Sequence, residues 1–164
     1  GVADIMTAAW NTPYDSDQVL VVLDRGHTTT KNIIETGKFV VAIPHEGQIA
    51  DINRVGSIHG RDSGDKFAWA KITPVTSEVL GIKTLPDALA YIECELVDLE
   101  TLKKTGVCIG KAVNITVKEE LWDEEHSSFA AGFAKTLHYI SEDAYYTNGK
   151  IVRVEENFMN MTND

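Results

Sequence analysis

The run Arg25-Gly26-His27-Thr28-Thr29-Thr30-Lys31-Asn32 gathers two permanent cations, an imidazole and three hydroxyls. Such a set can hold an anion. Where a buried strand hands over to a helix, the first helical N–H groups lack partners and the helix dipole is positive there. Hydroxyls and charged donors beside those groups suit a phosphate. The plainer alternative is one threonine capping the helix, with the others in water. A second segment, Met6-Thr7-Ala8-Ala9-Trp10, combines small side chains with an indole face. Small residues let another molecule approach the backbone, and the indole can stack on a flat ring. Read alone, the segment equally suits a strand whose tryptophan packs in the core. Lys66, within Asp65-Lys66-Phe67, is a third candidate cation, or else an exposed lysine paired with Asp65.

Other chemistries find less support. Gly106-Val107-Cys108-Ile109-Gly110-Lys111-Ala112 has three residues between its glycines and no Ser or Thr after the lysine. It therefore reads as a strand, not a P-loop. No G-x-G-x-x-G is present to make a dinucleotide fold, and no G-x-S-x-G to present a nucleophilic serine. The histidines, at 27, 45, 59, 126 and 138, lack metal-ligand spacing, so no metal is expected. His126 beside Glu124 and Glu125 reads as part of a solvated acidic face. Cys94 and Cys108 are the only cysteines and form no C-x-x-C. On a hairpin turning near Lys103 and Lys104 they would stand roughly 17 Å apart at strand rise, too far for a disulfide.

The elements that must carry these residues follow from the apolar pattern. Val19 to Leu23 is a short β-branched run typical of a buried strand, broken by Asp24-Arg25-Gly26-His27. Thr28 to Thr36 reads as a helix through Ile33 and Ile34, with Gly37 as its stop. Lys38 to Ile43 is a strand ended by Pro44. Ile49, Ile52, Val55 and Ile58 recur every three residues, which predicts a helix within Gln48 to Ile58. Gly60 to Asp65 is expected to be a loop. Ala90 to Leu99 reads as a half-solvated strand, with Ile92, Cys94 and Leu96 inward and Glu93 and Glu95 outward. Val107 to Val117 is its long partner. After Glu119 a helical or irregular tail is expected, helical over Phe129 to Tyr139, with a turn at Asn148-Gly149.

At 164 residues, with 43% apolar and 24% charged side chains, the chain suits one domain with a full core. No repeat or linker divides it. A net charge of −10 argues against nucleic acid. The imbalance lies in the second half: residues 1–83 carry net −2 and residues 84–164 net −8. No apolar run approaches the roughly 18 residues of a membrane span, and no signal-peptide pattern is visible. A cytoplasmic protein without membrane contact is the expectation.

Taken together the stretches resemble the flavin reductase-like and flavoredoxin family. Those that carry the likeness are Asp4-Ile5-Met6-Thr7-Ala8-Ala9-Trp10, Val19 to Leu23, Thr28-Thr29-Thr30-Lys31-Asn32-Ile33, and Glu35-Thr36-Gly37. Phe39 to Pro44, Asp65-Lys66-Phe67-Ala68 and Ile109-Gly110-Lys111 follow in the family's order. No single motif is specific, but the ordered set is, over about residues 4 to 117. The resemblance implies a mainly β fold with helices: a six-stranded antiparallel Greek-key split β-barrel, homodimeric, with FMN near the subunit boundary. It implies that Met6, Thr7, Ala8, Ala9 and Trp10 line the flavin. Arg25, Thr28, Thr29, Thr30 and Asn32 would hold its phosphate and ribityl chain, with Lys66 near the flavin or phosphate. NADH or NADPH would be a transient co-substrate, or a redox protein partner would supply electrons instead. A heme-binding variant of the fold is disfavoured by the histidine pattern. Two departures stand out. Asp4 takes a place where the family commonly has Asn. Family members also carry a further strand before the Met6–Trp10 motif, implying upstream residues or a barrel completed differently.

Overall fold

In the computed structural model, which describes residues 2–125, 127–129, 135–141 and 144–147, the apolar runs become strands of one antiparallel sheet. In chain order come β1 (Asn11–Asp15), β2 (Gln18–Val22), helix α1 (Thr28–Thr36) and β3 (Lys38–Ile43). Three short helices follow: α2 (Ile49–Gly56), α3 (Gly60–Ser63) and α4 (Lys66–Ala70). Next are β4 (Val75–Thr76), β5 (Lys83–Thr84), β6 (Ala90–Leu96), α5 (Leu99–Thr105) and β7 (Val107–Val117). The chain continues with β8 (Trp122–Asp123), β9 (Ser128–Phe129), β10 (Leu137–Ser141) and β11 (Ala144–Thr147). The principal sheet has the order β1-β2-β7-β6-β3, every neighbour antiparallel. Among the described residues it holds five strands, where the resemblance implied six; β4–β5, β8–β9 and β10–β11 form separate two-stranded ribbons.

Local chemistry explains the ends of α1. Ile33 and Thr30 face inward, and Gly37 adopts φ +70°, its N–H reaching back to the Ile33 carbonyl. A side chain in that left-handed conformation would be strained, so glycine stops the helix there. The chain can then cross from β2 to β3 at the far edge of the sheet. Gly106 does the same after α5, at φ +83°, with any Cβ only 2.3 Å from the Leu23 carbonyl oxygen. That close approach, with the hydrogen bond from Leu23 N–H to Gly106 O (2.8 Å), ties the end of α5 to the end of β2.

Two apolar cores flank the chain's beginning. One gathers Val21, Leu23, Ile33, Phe39, Cys94, Leu102 and Cys108, and Met6 and Ala8 pack on it. The other gathers Ile52, Val55, Phe67, Ala70, Ile72 and Leu85, and Ala3, Ile5 and Tyr145 pack on it. Residues 3–8 thus run along the seam, sending side chains to both sides.

Four expectations are corrected. Phe129 to Tyr139 is not helical where described: Ser128–Phe129 and Leu137–Ser141 are strands. Their partners, Trp122–Asp123 and Ala144–Thr147, supply hydrogen bonds that local periodicity does not announce. The turn at Asn148-Gly149 and His126 lie outside the described residues. Gly60 to Asp65 contains the helical turn α3, not only loop. The strand expected to reach Leu99 ends at Leu96, and Asp98 caps α5 by accepting from Thr101 N–H at 2.9 Å. A helix therefore joins β6 to β7 where a turn was expected. Glu93, expected in solvent, is 1% exposed. Its carboxylate accepts from the Leu80 N–H (2.6 Å), the Val79 N–H (3.1 Å) and Asn114 Nδ2 (2.9 Å), which makes burial tolerable.

Candidate functional site

The starting segment is fixed from below by a buried ion pair. Lys66 Nζ stands 3.4 Å from Asp4 Oδ1, each side chain 4% exposed. The other carboxylate oxygen accepts from the Thr29 hydroxyl. Asp65 does not pair with Lys66; it caps α4, accepting from Phe67 N–H (3.0 Å) and Ala68 N–H (3.1 Å). Asp4, Lys66 and Thr29 therefore clasp the chain's beginning to α1 and α4. Three residues on, the Thr7 hydroxyl donates to the Ile52 carbonyl at 2.6 Å, pinning the segment to α2. Trp10 O accepts from Val22 N–H (2.9 Å), so the segment's far end is held by β2. The Trp10 ring itself is 71% exposed, not packed in the core.

The second wall is the loop after β2. Asp24 Oδ1 accepts from Gly26 N–H at 2.6 Å, and Asp24 O accepts from the Thr30 hydroxyl at 2.7 Å, so the loop is tied to α1. Arg25 is exposed and donates one N–H to the Lys104 carbonyl at 3.3 Å, leaving the rest of its guanidinium fork available. His27 holds the N-cap position but makes no side-chain cap, so no side chain satisfies the first N–H groups of α1.

Between these walls lies a groove of about 1050 Å³. Met6, Thr7, Ala8, Ala9 and Trp10 line it, as do Asp24, Arg25, Gly26 and His27. The opposite side comes from α2 and its end, through Ile52, Asn53, Gly56 and Ser57. Thr105 closes one part, and Tyr139 and Tyr145, their rings 5.6 Å apart edge to face, close another. The groove thus brings together the whole Met6–Trp10 segment and Arg25. It does not bring in the remaining predicted residues. Thr30 is buried with its hydroxyl on Asp24 O, Thr29 serves Asp4, and Asn32 Nδ2 donates to Val2 O at 3.1 Å. Thr28 lies one residue behind the groove, against Gly60, and Lys66 lies beneath it.

Tyr139, Tyr145, Ser57 and Thr105 were not among the site residues expected from the sequence. The tyrosines belong to the β10–β11 ribbon, brought over by the His45–Thr136 bridge and the hydrogen bond from Glu46 N–H to Lys135 O. Only the aromatic cluster around residues 139–146 hinted at them.

The arrangement offers a flat indole, small neighbours and a cation in one space, with the uncapped start of α1 adjoining it at His27, which suits a planar ligand with an anionic end. It offers no thiol chemistry. Burial pushes both Cys94 and Cys108 up to about 12, and the nearby Cys108 adds to the effect on Cys94, so both stay protonated and unreactive. Among the described residues no group of His, Cys, Asp or Glu could hold a metal ion. No described helix is long and apolar enough to cross a membrane.

Comparison with known proteins adds the family. A family model described as "Flavin reductase like domain" matches residues 1–152. A protein of Pyrococcus abyssi is 29% identical over 156 residues, covering 93% of this chain and 87% of that one. Among solved structures, an FMN-binding domain of a flavin reductases-like enzyme from Shewanella baltica has a TM-score of 0.85 at 22% identity. The likeness covers 94% of this chain and 84% of that one. The flavoredoxin of Desulfovibrio vulgaris has a TM-score of 0.80 at 23% identity, over 93% and 82% of the two chains. At these identities the structures establish the fold, a mainly β split barrel with helices.

Proposed function

The chain belongs to the flavin reductase-like domain family, and from that premise we propose that it binds FMN in the groove and passes electrons to it from NADH or NADPH. The observation that carries this reading is the coincidence, in one groove of about 1050 Å³, of an exposed Trp10, Arg25 and His27, the residue that immediately precedes the uncapped start of α1. That volume is just above the roughly 300–1,000 Å³ common for small-molecule sites. The residues present fit the cofactor. Ala8 and Ala9 leave space against the backbone, Trp10 offers a ring face, and Arg25 with the α1 amides offers charge-assisted donors to a phosphate.

Bound FMN would supply the hydride and single-electron chemistry, which is the cofactor's own. The chain's part is to position and to tune. Met6–Trp10, clamped at Thr7 and Trp10, would hold the ring plane. Thr28 would stand behind the phosphate. Lys66 would act at one remove, as the counter-charge that keeps Asp4, and hence the segment after it, in place; Thr29, Thr30 and Asn32 would support the loop by the bonds already described.

Anaerobic mixing of FMN-loaded protein with NADH and with NADPH tests the reaction. Prompt bleaching of the flavin's visible band by either is expected; bleaching by neither would remove the nicotinamide donor. The second reading is then an electron carrier reduced by a protein, favoured by the net charge of −10, which would steer a basic partner. Exposed apolar side chains on β7, Val113 and Ile115 (60% exposed), support assembly as a homodimer, which sedimentation equilibrium would read directly. We place the protein in the cytoplasm.

A further inference from the structure

Most side-chain donors expected to meet the phosphate end of a ligand are already committed. Thr29 serves Asp4, Thr30 serves the Asp24 carbonyl, and Asn32 serves the Val2 carbonyl. Beside Arg25 at that end of the groove stands one member of a pair of histidines. His27 lines the groove, and the ring of His59 lies 5.1 Å from it, centroid to centroid, tilted by 48°.

The backbone enforces this meeting. Gly60, the residue after His59, is pressed so closely on the start of α1 that a Cβ there would lie 2.5 Å from Asp4 Oδ1 and 3.0 Å from Thr28 Cβ. The loop carrying His59 is thereby held against the loop carrying His27. Among the described residues neither imidazole has a hydrogen-bond or ion-pair partner. His45, by contrast, accepts from Gly47 N–H and faces Asp87 at 3.4 Å.

Histidine is the side chain whose charge changes near neutral pH, and an anion beside this pair would favour its charged form. The surrounding charges do not pre-empt this. On the same loop, Asp24 is held by Gly26 N–H, and Arg25 adds positive charge. Lys31 stands one turn along α1 and is exposed. On α3, Arg61 and Asp62 face each other at 3.7 Å, and behind both rings Asp4 is balanced by Lys66.

We infer that His27 and His59 form the charge-adjustable part of the grip on a terminal phosphate monoester, so that retention of FMN weakens as pH rises through neutrality. The inference rests on the flavin reading and adds to it a control of occupancy by proton uptake. A phosphate monoester carries close to two negative charges at neutral pH, which the Arg25 guanidinium and one proton taken up by the imidazole pair would match.

The test compares FMN with riboflavin, which lacks the phosphate, by quenching of flavin fluorescence. For FMN, the dissociation constant should rise roughly fivefold or more between about pH 6.5 and about pH 8.5, as expected for uptake of one proton. For riboflavin it should stay flat. His59→Gln should flatten the FMN profile, and so should His27→Gln. Independently of any variant, imidazole 15N resonances of His27 and His59 in the native protein should titrate at higher pH with FMN bound than without. An equal pH response for both flavins, or unmoved imidazoles, would overturn the inference while leaving the flavin site standing. Imidazole shifts produced by NADPH but not NADH on FMN-saturated protein would move the phosphate assignment to the nicotinamide nucleotide and overturn it too. Binding of neither flavin at any pH would remove both the site and this inference.

Discussion

Asp4 and Lys66 put two opposite charges under the groove, 3.4 Å apart and nearly out of reach of water. A buried pair of this kind adds little net stability, but removing one partner strands the other. Lys66→Met should therefore cost about 3–5 kcal/mol in a urea melt, since it leaves Asp4 charged and buried. The further change Asp4→Asn should recover much of that loss. The aspartate acts here as the lysine's counter-charge. Arg25 sits at the other extreme, exposed and lightly tethered by one bond to Lys104 O. Its replacement by Ala should leave the melting temperature within a degree or two and weaken FMN by about 1.5–3 kcal/mol, the usual worth of a charge-assisted bond. Isothermal titration checks it, and unchanged affinity would remove Arg25 from the site.

At the scale of elements, Glu93 shows how a strand can be read correctly while its side chain is not. Burial alone would raise its carboxyl, but the Asn114 side chain, the Leu80 and Val79 N–H groups and Ser77 together hold it down to about 2. The folded value lies below the ordinary 4.5, so the ionised group stabilises the fold above about pH 4.5, and that contribution is lost as pH falls toward 2. The linked free energy is about 3 kcal/mol. Glu93→Gln should lower the urea midpoint at neutral pH and flatten its decline between pH 5 and pH 3; an unchanged acid profile would contradict the assignment. The donors that reverse Glu93's expected direction lie in another part of the chain, which period-two alternation cannot register. The same holds for Leu137–Ser141, whose strand character comes from pairing with Ala144–Thr147. By contrast α1, β3 and β7 were legible to the residue, because apolar spacing and the stops at Gly37 and Pro44 are local signals. The groove divides likewise. Met6–Trp10 and Arg25 announce themselves by type and spacing, while Tyr139, Tyr145 and Ser57 arrive there only through long-range packing.

For the whole molecule, the seam between two cores explains why there is a groove at all. Residues 3–8 send Met6 and Ala8 to one core and Ala3 and Ile5 to the other. The strip between those cores cannot be filled by the segment's own small side chains. The overall charge of −10 then acts as a filter on partners, favouring basic proteins over anionic ones. At one end of the groove Arg25 stands beside His27, whose ring meets that of His59. The central claim, that this groove is a flavin site, is tested most directly by titrating FMN with the purified protein and following flavin fluorescence. The account predicts saturable quenching at one FMN per chain, abolished by Ala9→Trp, which fills the groove from an exposed position without disturbing either core. Undiminished FMN fluorescence at saturating protein, or quenching that survives Ala9→Trp unchanged, would contradict it.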